Sequence, residues 1–187
     1  MFKSKFINTE TFMGGWYINH ELCDKIVSAG KENADKFQPG IRAYENVDLG
    51  ILNQNLNSEY CNSLYQVIEQ YKENFPWCFK ELRPWGFTSP RLQRYASGKV
   101  YKELHCENDG NSQVIYRHLV YMTYLNDISD GGGTEFIHQN LITPSEKGLT
   151  LIWPAQWTHY HRGIVAPYDT KYILTGWCVF VDRPTNT

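Results

Sequence analysis

The sequence has no long hydrophobic run and no leader-like segment at its start. The longest apolar run, residues 172–181, is about half of the roughly 20 residues that a membrane-spanning helix needs. Residues 1–15 lack the apolar stretch that is typical of a secretory signal peptide. We therefore predict a soluble protein of the cytoplasm.

An excess of charge of one sign is also missing. The 18 Lys and Arg residues nearly balance the 20 Asp and Glu residues, and the basic residues are scattered along the chain. Proteins that bind nucleic acid or anionic lipid usually gather Lys and Arg on one surface, because attraction to phosphate dominates such binding. We therefore expect neither nucleic acid nor membrane among the partners of this chain.

The cysteines form no recognisable pattern. They are odd in number and show no C-x-x-C spacing; the five are Cys23, Cys61, Cys78, Cys106 and Cys178. This excludes a disulfide framework and a thiolate-rich zinc site. Reduced thiols that pack as small hydrophobic side chains are the expected state.

Aromatic residues, by contrast, are abundant at 15% of the chain. Tyr and Trp favour β-sheets, and their polar tips need partners when the rings are buried. A chain of 187 residues is long enough for one substantial core. We expect a single domain that covers residues 1–187 and is mainly β.

The order of the predicted elements gives the fold class. Two amphipathic helices are expected, one from Asn19 onward and one over residues 58–75, which stops before Pro76. Residues 37–57 are polar and predict one or two strands with a mobile loop. From Pro84 onward, closely spaced turn residues separate runs rich in Val, Ile, Tyr, Thr and Trp. We predict an α+β fold: a double-stranded β-helix (jelly-roll) over about 84–187, with helical support from about 1–80 packed outside.

Two predicted strands have definable faces. Alternation over residues 171–182 places Lys171, Ile173, Thr175 and Trp177 on one side. A lysine on such a face either lies at the wet end of the strand or points into a cavity to meet an anion. In the strand over residues 118–126, alternation groups His118 with Val120, Met122 and Tyr124.

Candidate metal ligands come from two distant segments. His105 and Glu107 are two positions apart, so both side chains leave the same face of an extended strand. His161 supplies a second imidazole. Two imidazoles and one carboxylate on one face of Fe(II) leave three positions open for a chelating co-substrate and O2. His159 competes with His161, and Asp109 is an alternative carboxylate that lies too far along the strand.

These residues belong to a longer series of motifs. The sequence has Y-x-x-G at residues 95–98, H-x-E at 105–107, Y-L-N at 124–126, G-G-G-T-E-F at 131–136 and P-S-E-K-G at 144–148. His161 follows, with Lys171 ten residues later. In order and spacing, this series over residues 92–182 resembles the 2-oxoglutarate- and Fe(II)-dependent dioxygenases, specifically their prolyl 4-hydroxylase-like branch.

The resemblance implies both a reaction and the residues that perform it. His105, Glu107 and His161 would be the iron ligands, and Lys171 would bind the distal carboxylate of 2-oxoglutarate. The resemblance makes Tyr95 and Tyr124 lining residues of the co-substrate pocket. Thr175 and Trp177 share the face of Lys171 and should line the same pocket. The implied cofactors are Fe(II), 2-oxoglutarate and O2, with ascorbate as a reductant. The implied activity is hydroxylation of a C–H bond in a peptide, protein or small molecule, with a prolyl residue as the family-based candidate and with succinate and CO2 as products.

The chain departs from the family pattern in the P-S-E-K-G segment, which is one residue longer than the family spacing, and at two places that matter more. Glu107 stands where the family has Asp, so its carboxylate must approach the metal differently. Gly133 replaces the Glu of the G-G-E-T motif, which predicts a looser turn. Two alternatives stay open: a non-catalytic binding module with this fold, and a cupin-like metal enzyme that does not use 2-oxoglutarate. The residue that distinguishes this cupin-like enzyme from a 2-oxoglutarate-dependent dioxygenase is Lys171, since only the dioxygenase needs it to bind 2-oxoglutarate.

Five further residues receive ordinary structural interpretations. His118 and His138 are expected to be structural or surface histidines, and Trp153 and Trp157 to be core residues. Arg117 could approach the mouth of the substrate site, but a solvated strand end is the expected position.

Overall fold

The computed structural model describes residues 2–40 and 43–181. Residues 41–42, within the segment predicted as strand and loop, lie outside the described residues. Asp182, the last residue of the predicted strand over residues 171–182, lies outside them as well, as does Met1. None of the described helices is long and apolar enough to cross a membrane.

The described residues form twelve strands in two antiparallel sheets. The strands are Ser4–Asn8 (β1), Met13–Tyr17 (β2), Gln38–Pro39 (β3), Glu45–Asp48 (β4), Trp85–Phe87 (β5), Arg91–Tyr95 (β6), Arg117–Tyr124 (β7), Thr134–Phe136 (β8), Leu141–Thr143 (β9), Leu149–Pro154 (β10), His161–Gly163 (β11) and Lys171–Phe180 (β12). The main sheet has the order β1-β2-β10-β7-β12-β6-β4-β3, with β5 also paired to β12. The small sheet has the order β11-β8-β9.

In the described part of the chain, three α-helices accompany the sheets: His20–Glu32 (α1), Leu49–Leu52 (α2) and Gln54–Asn74 (α3). Asn19 caps α1 as predicted, because its side chain accepts a hydrogen bond from the backbone N–H of Glu21 at 2.7 Å. The helix α3 begins after the cap residue Asn53 and ends before Pro76. Both predicted helices are therefore confirmed, and α2 is an additional short helix within residues 37–57.

Among residues 2–40 and 43–181, two hydrophobic cores lie on opposite faces of the main sheet. One contains the apolar faces of α1 and α3 and side chains such as Leu92, Leu119 and Leu174. The other contains Tyr95, Tyr124 and Ile173 together with Phe136 from the small sheet. The mainly β fold with a double-stranded β-helix core and helices outside is confirmed. The second core is the interior of the roll, and the candidate site opens from it.

The N-terminal segment contributes more than helices. The strands β1 and β2 form a hairpin, and β2 pairs with β10 near the other end of the chain. Residues 37–57 contain β3, β4 and α2. No strand was predicted before Asn19, and β2 contains Gly14 and Gly15, a residue type that is depleted in strands.

The glycine turn before β8 is tightly packed. Gly131 and Gly132 have positive φ angles of 75° and 69°. At Gly133, a Cβ atom would lie 2.1 Å from the carbonyl oxygen of Thr143. The expectation of a looser turn at Gly133 is therefore wrong. The missing side chain allows a close backbone approach between the start of β8 and the end of β9.

Candidate metal centre and co-substrate pocket

Backbone pairing brings the candidate ligands together. The N–H of His105 donates to the carbonyl of His161 at 3.1 Å, and the N–H of His161 donates back at 2.9 Å. Two residues on, the N–H of Glu107 donates to the carbonyl of Ala155 at 3.1 Å. The segment from His105 to Glu107 is thus fixed beside β11 and the end of β10.

The three predicted ligands converge at the side-chain level. Oε1 of Glu107 lies 3.5 Å from Nε2 of His105 and 3.8 Å from Nε2 of His161. One ligand atom from each of the three lies within 4.8 Å of the others, and no other such group occurs among the described residues. Asp109 is not part of it, and its carboxylate accepts a hydrogen bond from the N–H of Asn111 instead.

Hydrogen bonds direct both imidazoles toward the carboxylate. Nδ1 of His105 lies 2.9 Å from the carbonyl oxygen of Glu103, and Nδ1 of His161 lies 2.9 Å from that of His159. A carbonyl oxygen can only accept, so Nδ1 donates in both rings. In the neutral ring, Nε2 then turns a lone pair toward Glu107, which is the usual arrangement of metal-binding histidines.

The electrostatics of the centre suit a metal ion. Burial raises the pKa of Glu107, but the effects of His105, His161 and Arg117 outweigh it, so the net shift is downward. Burial lowers the pKa of His161 to about 4, with His105 acting in the same direction. At neutral pH the centre therefore combines an ionised carboxylate with a neutral buried imidazole, the forms that bind metal. Two imidazoles and a carboxylate fit Fe(II).

His159 has a different role from the one considered for it. It belongs to a 3-10 turn, Trp157–His159, rather than to the strand of His161. Its Nε2 lies 2.8 Å from the carbonyl oxygen of Thr11, and its Nδ1 is 2.9 Å from the hydroxyl of Thr158. Its backbone carbonyl accepts from His161. The structure thus brings His161 to the centre and leaves His159 as a support.

Arg117 lies inside the site, and its assignment to a solvated strand end is wrong. The register between β7 and β12 shifts so that Leu119 pairs with Cys178 and Arg117 with Val179. His118 is therefore an unpaired bulge residue, and side-chain alternation changes there. Arg117 joins the inner face, whereas His118 turns to the carbonyl of Cys78 at 2.7 Å. The predicted grouping of His118 with Val120 fails for the same reason.

Lys171 points into the roll, not to a wet strand end. Its side chain lies in the interior, 5% of the residue is exposed, and Nζ donates to the carbonyl of Gly132 at 3.0 Å. Nζ also lies 4.9 Å from the centre of the Tyr95 ring. Burial lowers the pKa of Lys171 to about 8. The described residues place no carboxylate within ion-pair distance of this ammonium, so an anion can complete its surroundings.

The other predicted pocket residues lie on the same inner face. Tyr95 pairs with Lys171 across β6 and β12, and Tyr124 pairs with Ile173 across β7 and β12. The hydroxyl of Tyr95 donates to Gln93 Oε1 at 2.8 Å. Thr175 Oγ1 donates to the carbonyl of Tyr121 at 3.2 Å. Trp177 lies nearer to the metal centre, and its indole N–H donates to Oε2 of Glu107 at 2.9 Å.

Tyr124 is held by two threonines that sequence reasoning did not select. Its hydroxyl is 2.7 Å from Oγ1 of Thr134 and 3.0 Å from Oγ1 of Thr143. Burial raises the pKa of Tyr124 to about 12, so the phenol stays protonated. The only sequence signal for Thr134 was its place in the glycine motif, and Thr143 had none.

Two aromatic side chains form a wall beside His161. The rings of Phe136 and Trp153 each lie 5.3 Å from the His161 ring. The core assignment of Trp153 is confirmed, since it is 2% exposed. The same assignment for Trp157 is wrong, because that residue is 66% exposed.

A cavity of about 390 Å³ lies apart from this centre. Its lining includes Phe12, Tyr71, Phe75, Trp77 and His118, on the helix side of the main sheet. None of the three candidate ligands lines it, and neither does Lys171. Its wall is mostly apolar and carries no group of metal ligands, so we do not assign the proposed chemistry to it.

Comparison with solved structures identifies the fold. The viral collagen prolyl hydroxylase from Paramecium Bursaria Chlorella virus-1, in its 2OG complex, superposes with a TM-score of 0.72, at 17% identity over 91% of this chain and 97% of that chain. The chain has the prolyl hydroxylase fold. A prolyl hydroxylase from Trichoplax adhaerens, in complex with a hypoxia inducible factor peptide fragment, matches with a TM-score of 0.65 and 16% identity, over 89% of this chain and 83% of the other.

Sequence comparison finds a similar protein that is named as a 2-oxoglutarate dioxygenase. Procollagen-lysine,2-oxoglutarate 5-dioxygenase of Drosophila melanogaster is 23% identical in an alignment of 176 residues, and the alignment covers 85% of this chain. The match covers 23% of that relative, so the chain spans about a quarter of its length. No protein-family model matches the chain. The resemblance predicted from the motif series is confirmed at the level of the fold.

Proposed function

We propose that the chain is an Fe(II)- and 2-oxoglutarate-dependent dioxygenase that hydroxylates a C–H bond. The observation that carries the proposal is the convergence of His105, Glu107 and His161 in one roll with the buried ammonium of Lys171. Three ligand atoms on one side of a metal ion leave positions for a chelating co-substrate. A buried cation without a carboxylate partner among the described residues suits the far end of a dicarboxylic acid.

Each residue has a defined task in this proposal. His105, Glu107 and His161 would hold Fe(II), and Lys171 would bind the distal carboxylate of 2-oxoglutarate. When bound, the metal, the co-substrate and O2 supply the oxidation, with succinate and CO2 as products. The aromatic walls at Phe136, Trp153 and Trp177 exclude water from the centre. Tyr95 and Thr175 would line the pocket between the metal and Lys171.

The substrate is proposed to be a peptide or protein side chain. The structural relatives are called prolyl hydroxylases, and one of them is in complex with a peptide. The Drosophila relative is named for procollagen lysine. We therefore propose prolyl and lysyl residues as the first candidates, with ascorbate as a reductant. A cytoplasmic location belongs to the same proposal.

The direct test is anaerobic titration with Fe(II) and 2-oxoglutarate. We expect a metal-to-ligand charge-transfer band that requires both additions, because the co-substrate must chelate the metal. Succinate formation with a panel of prolyl and lysyl peptides then identifies the substrate. A centre that binds Fe(II) but develops no band with 2-oxoglutarate would favour the cupin-like alternative. A chain that binds neither would favour a non-catalytic module.

The affinity for 2-oxoglutarate is expected to depend on pH above about 8. Burial lowers the pKa of Lys171 to about 8, so the ammonium loses its proton as the pH rises through that value. Above that pH, Lys171 must take up a proton before it can bind the carboxylate. The affinity for 2-oxoglutarate therefore falls by roughly tenfold for each further pH unit. The measurement is anaerobic titration of the charge-transfer band between pH 7 and about pH 9.5.

A matched variant makes this pH test specific. Lys171→Arg keeps a positive charge across the whole range, because a guanidinium does not deprotonate in proteins. We expect its affinity for 2-oxoglutarate to stay level with pH. The same slope in the wild type and in Lys171→Arg would show that another group titrates.

A further inference from the structure

The two carboxylate oxygens of Glu107 have different surroundings. Oε2 accepts a hydrogen bond from Arg117 Nη1 at 3.0 Å and one from Trp177 Nε1 at 2.9 Å. Oε1 instead faces the Nε2 atoms of His105 and His161, at 3.5 and 3.8 Å. One oxygen is therefore engaged by two protein donors, and the other is turned toward the candidate metal position.

Both donors are themselves fixed. The Nη1 atom of Arg117 also donates to the backbone carbonyl of Glu107 at 3.0 Å, so one nitrogen contacts the residue twice. The Arg117 guanidinium lies 3.6 Å from the centre of the Trp177 ring. The backbone N–H of Trp177 donates to Thr88 Oγ1 at 3.1 Å. Arg117 and Trp177 thus form one stacked unit supported by the bulged end of β7 and by β12.

We propose that Arg117 and Trp177 clamp Oε2, make Glu107 a one-oxygen ligand, and thereby set the affinity of the centre for divalent metal. The inference rests on the proposed function. Both residues are positioning residues, since they act on the metal only through Glu107. The clamp also explains why residue 107 is Glu and not Asp. The carboxylate of an aspartate would lie one C–C bond, about 1.5 Å, closer to the backbone and so farther from the two donors.

The size of the expected effect follows from the role of groups that orient metal ligands. Loss of such a partner typically weakens metal binding about 10- to 100-fold. Without its two donors, the Glu107 carboxylate can rotate and is left with a buried oxygen that has lost its partners. The charge of Arg117 acts in the opposite direction, since removal of a cation by itself favours binding of another cation. Weaker metal binding after Arg117 is replaced with a neutral residue therefore indicates that the Glu107 carboxylate has lost its orientation.

The experiment measures metal binding alone, without 2-oxoglutarate, by anaerobic calorimetric titration with Fe(II). We expect Arg117→Met and Trp177→Phe each to raise the Kd about 10- to 100-fold. Arg94→Met is a matched control, because Arg94 also contacts a carboxylate, Glu45 Oε2 at 2.6 Å, and an aromatic ring, but on the outer face of β6. Trp85→Phe removes a comparable indole hydrogen bond, to the carbonyl of Cys78, and should leave the Kd unchanged.

The same two substitutions, made in a Glu107→Asp protein, separate the loss of carboxylate orientation from damage to the fold. In Glu107→Asp, the shortened carboxylate no longer reaches the clamp, so Arg117→Met and Trp177→Phe should not weaken metal binding further. Further weakening in that background would overturn the inference, since the residues would then act through the fold. Wild-type affinity in both clamp variants would overturn it as well. Failure of the wild type to bind Fe(II) would instead refute the proposed function itself, and the clamp with it.

Discussion

Replacement of His161 with alanine is expected to remove stable Fe(II) binding and to lower kcat/KM by at least about a thousandfold. A bound metal contributes several kcal/mol to catalysis, and each 1.36 kcal/mol corresponds to a factor of ten in rate. The remaining pair, His105 and Glu107, offers two donor atoms instead of three. The expected result is checked by anaerobic Fe(II) titration and by succinate formation with the best peptide.

His138 provides the matched control for this change. It is an exposed histidine after β8, outside the group of candidate ligands. His138→Ala should keep both the metal affinity and the turnover of the wild type. Turnover within tenfold of wild type in His161→Ala would contradict the assignment of His161 as a ligand. His159→Gln would then be the next variant, because His159 is the competing imidazole two residues before His161.

The second large effect concerns Lys171. Lys171→Ala is expected to raise the Kd for 2-oxoglutarate by at least roughly 30-fold, because loss of one partner of a buried charge pair costs about 2–5 kcal/mol. Fe(II) affinity measured without 2-oxoglutarate should not fall, since Lys171 is not one of the grouped ligands. The measurement is the anaerobic charge-transfer titration at pH 7, where Lys171 is protonated.

The Lys171 variant also separates the main proposal from its cupin-like rival. An enzyme that does not use 2-oxoglutarate would turn over its substrate equally well after the change. Lys25→Ala serves as the control, because Lys25 forms an exposed ion pair with Glu21 on α1. Equal losses in both variants would indicate a general effect on stability. Unchanged 2-oxoglutarate affinity in Lys171→Ala would remove Lys171 from the pocket.

Much of the site could be predicted because its signals are local. His105 and Glu107 are two residues apart in extended backbone, and alternation alone places them on one face. The same rule placed Lys171, Thr175 and Trp177 together on β12. The caps and apolar faces of α1 and α3 were also visible, because helix signals lie within a few residues of one another.

Other features depend on contacts that no local pattern encodes. A single bulge in β7 at His118 moves Arg117 from the predicted solvent side to Glu107. The hairpin β1–β2 becomes part of the main sheet only through β10. The choice between His161 and His159 was settled by backbone pairing with His105.

The sequence by itself determined the donor types, their order and the place of Lys171 on an otherwise apolar strand face, and hence the chemistry to expect. Only the tertiary structure decided which oxygen of Glu107 faces the centre and which residues hold the other one. The physical reason is that side-chain chemistry and strand alternation are local properties of the chain. Sheet register and bulges, in contrast, depend on partners far along it, and one extra residue in a strand reverses which side chains point inward.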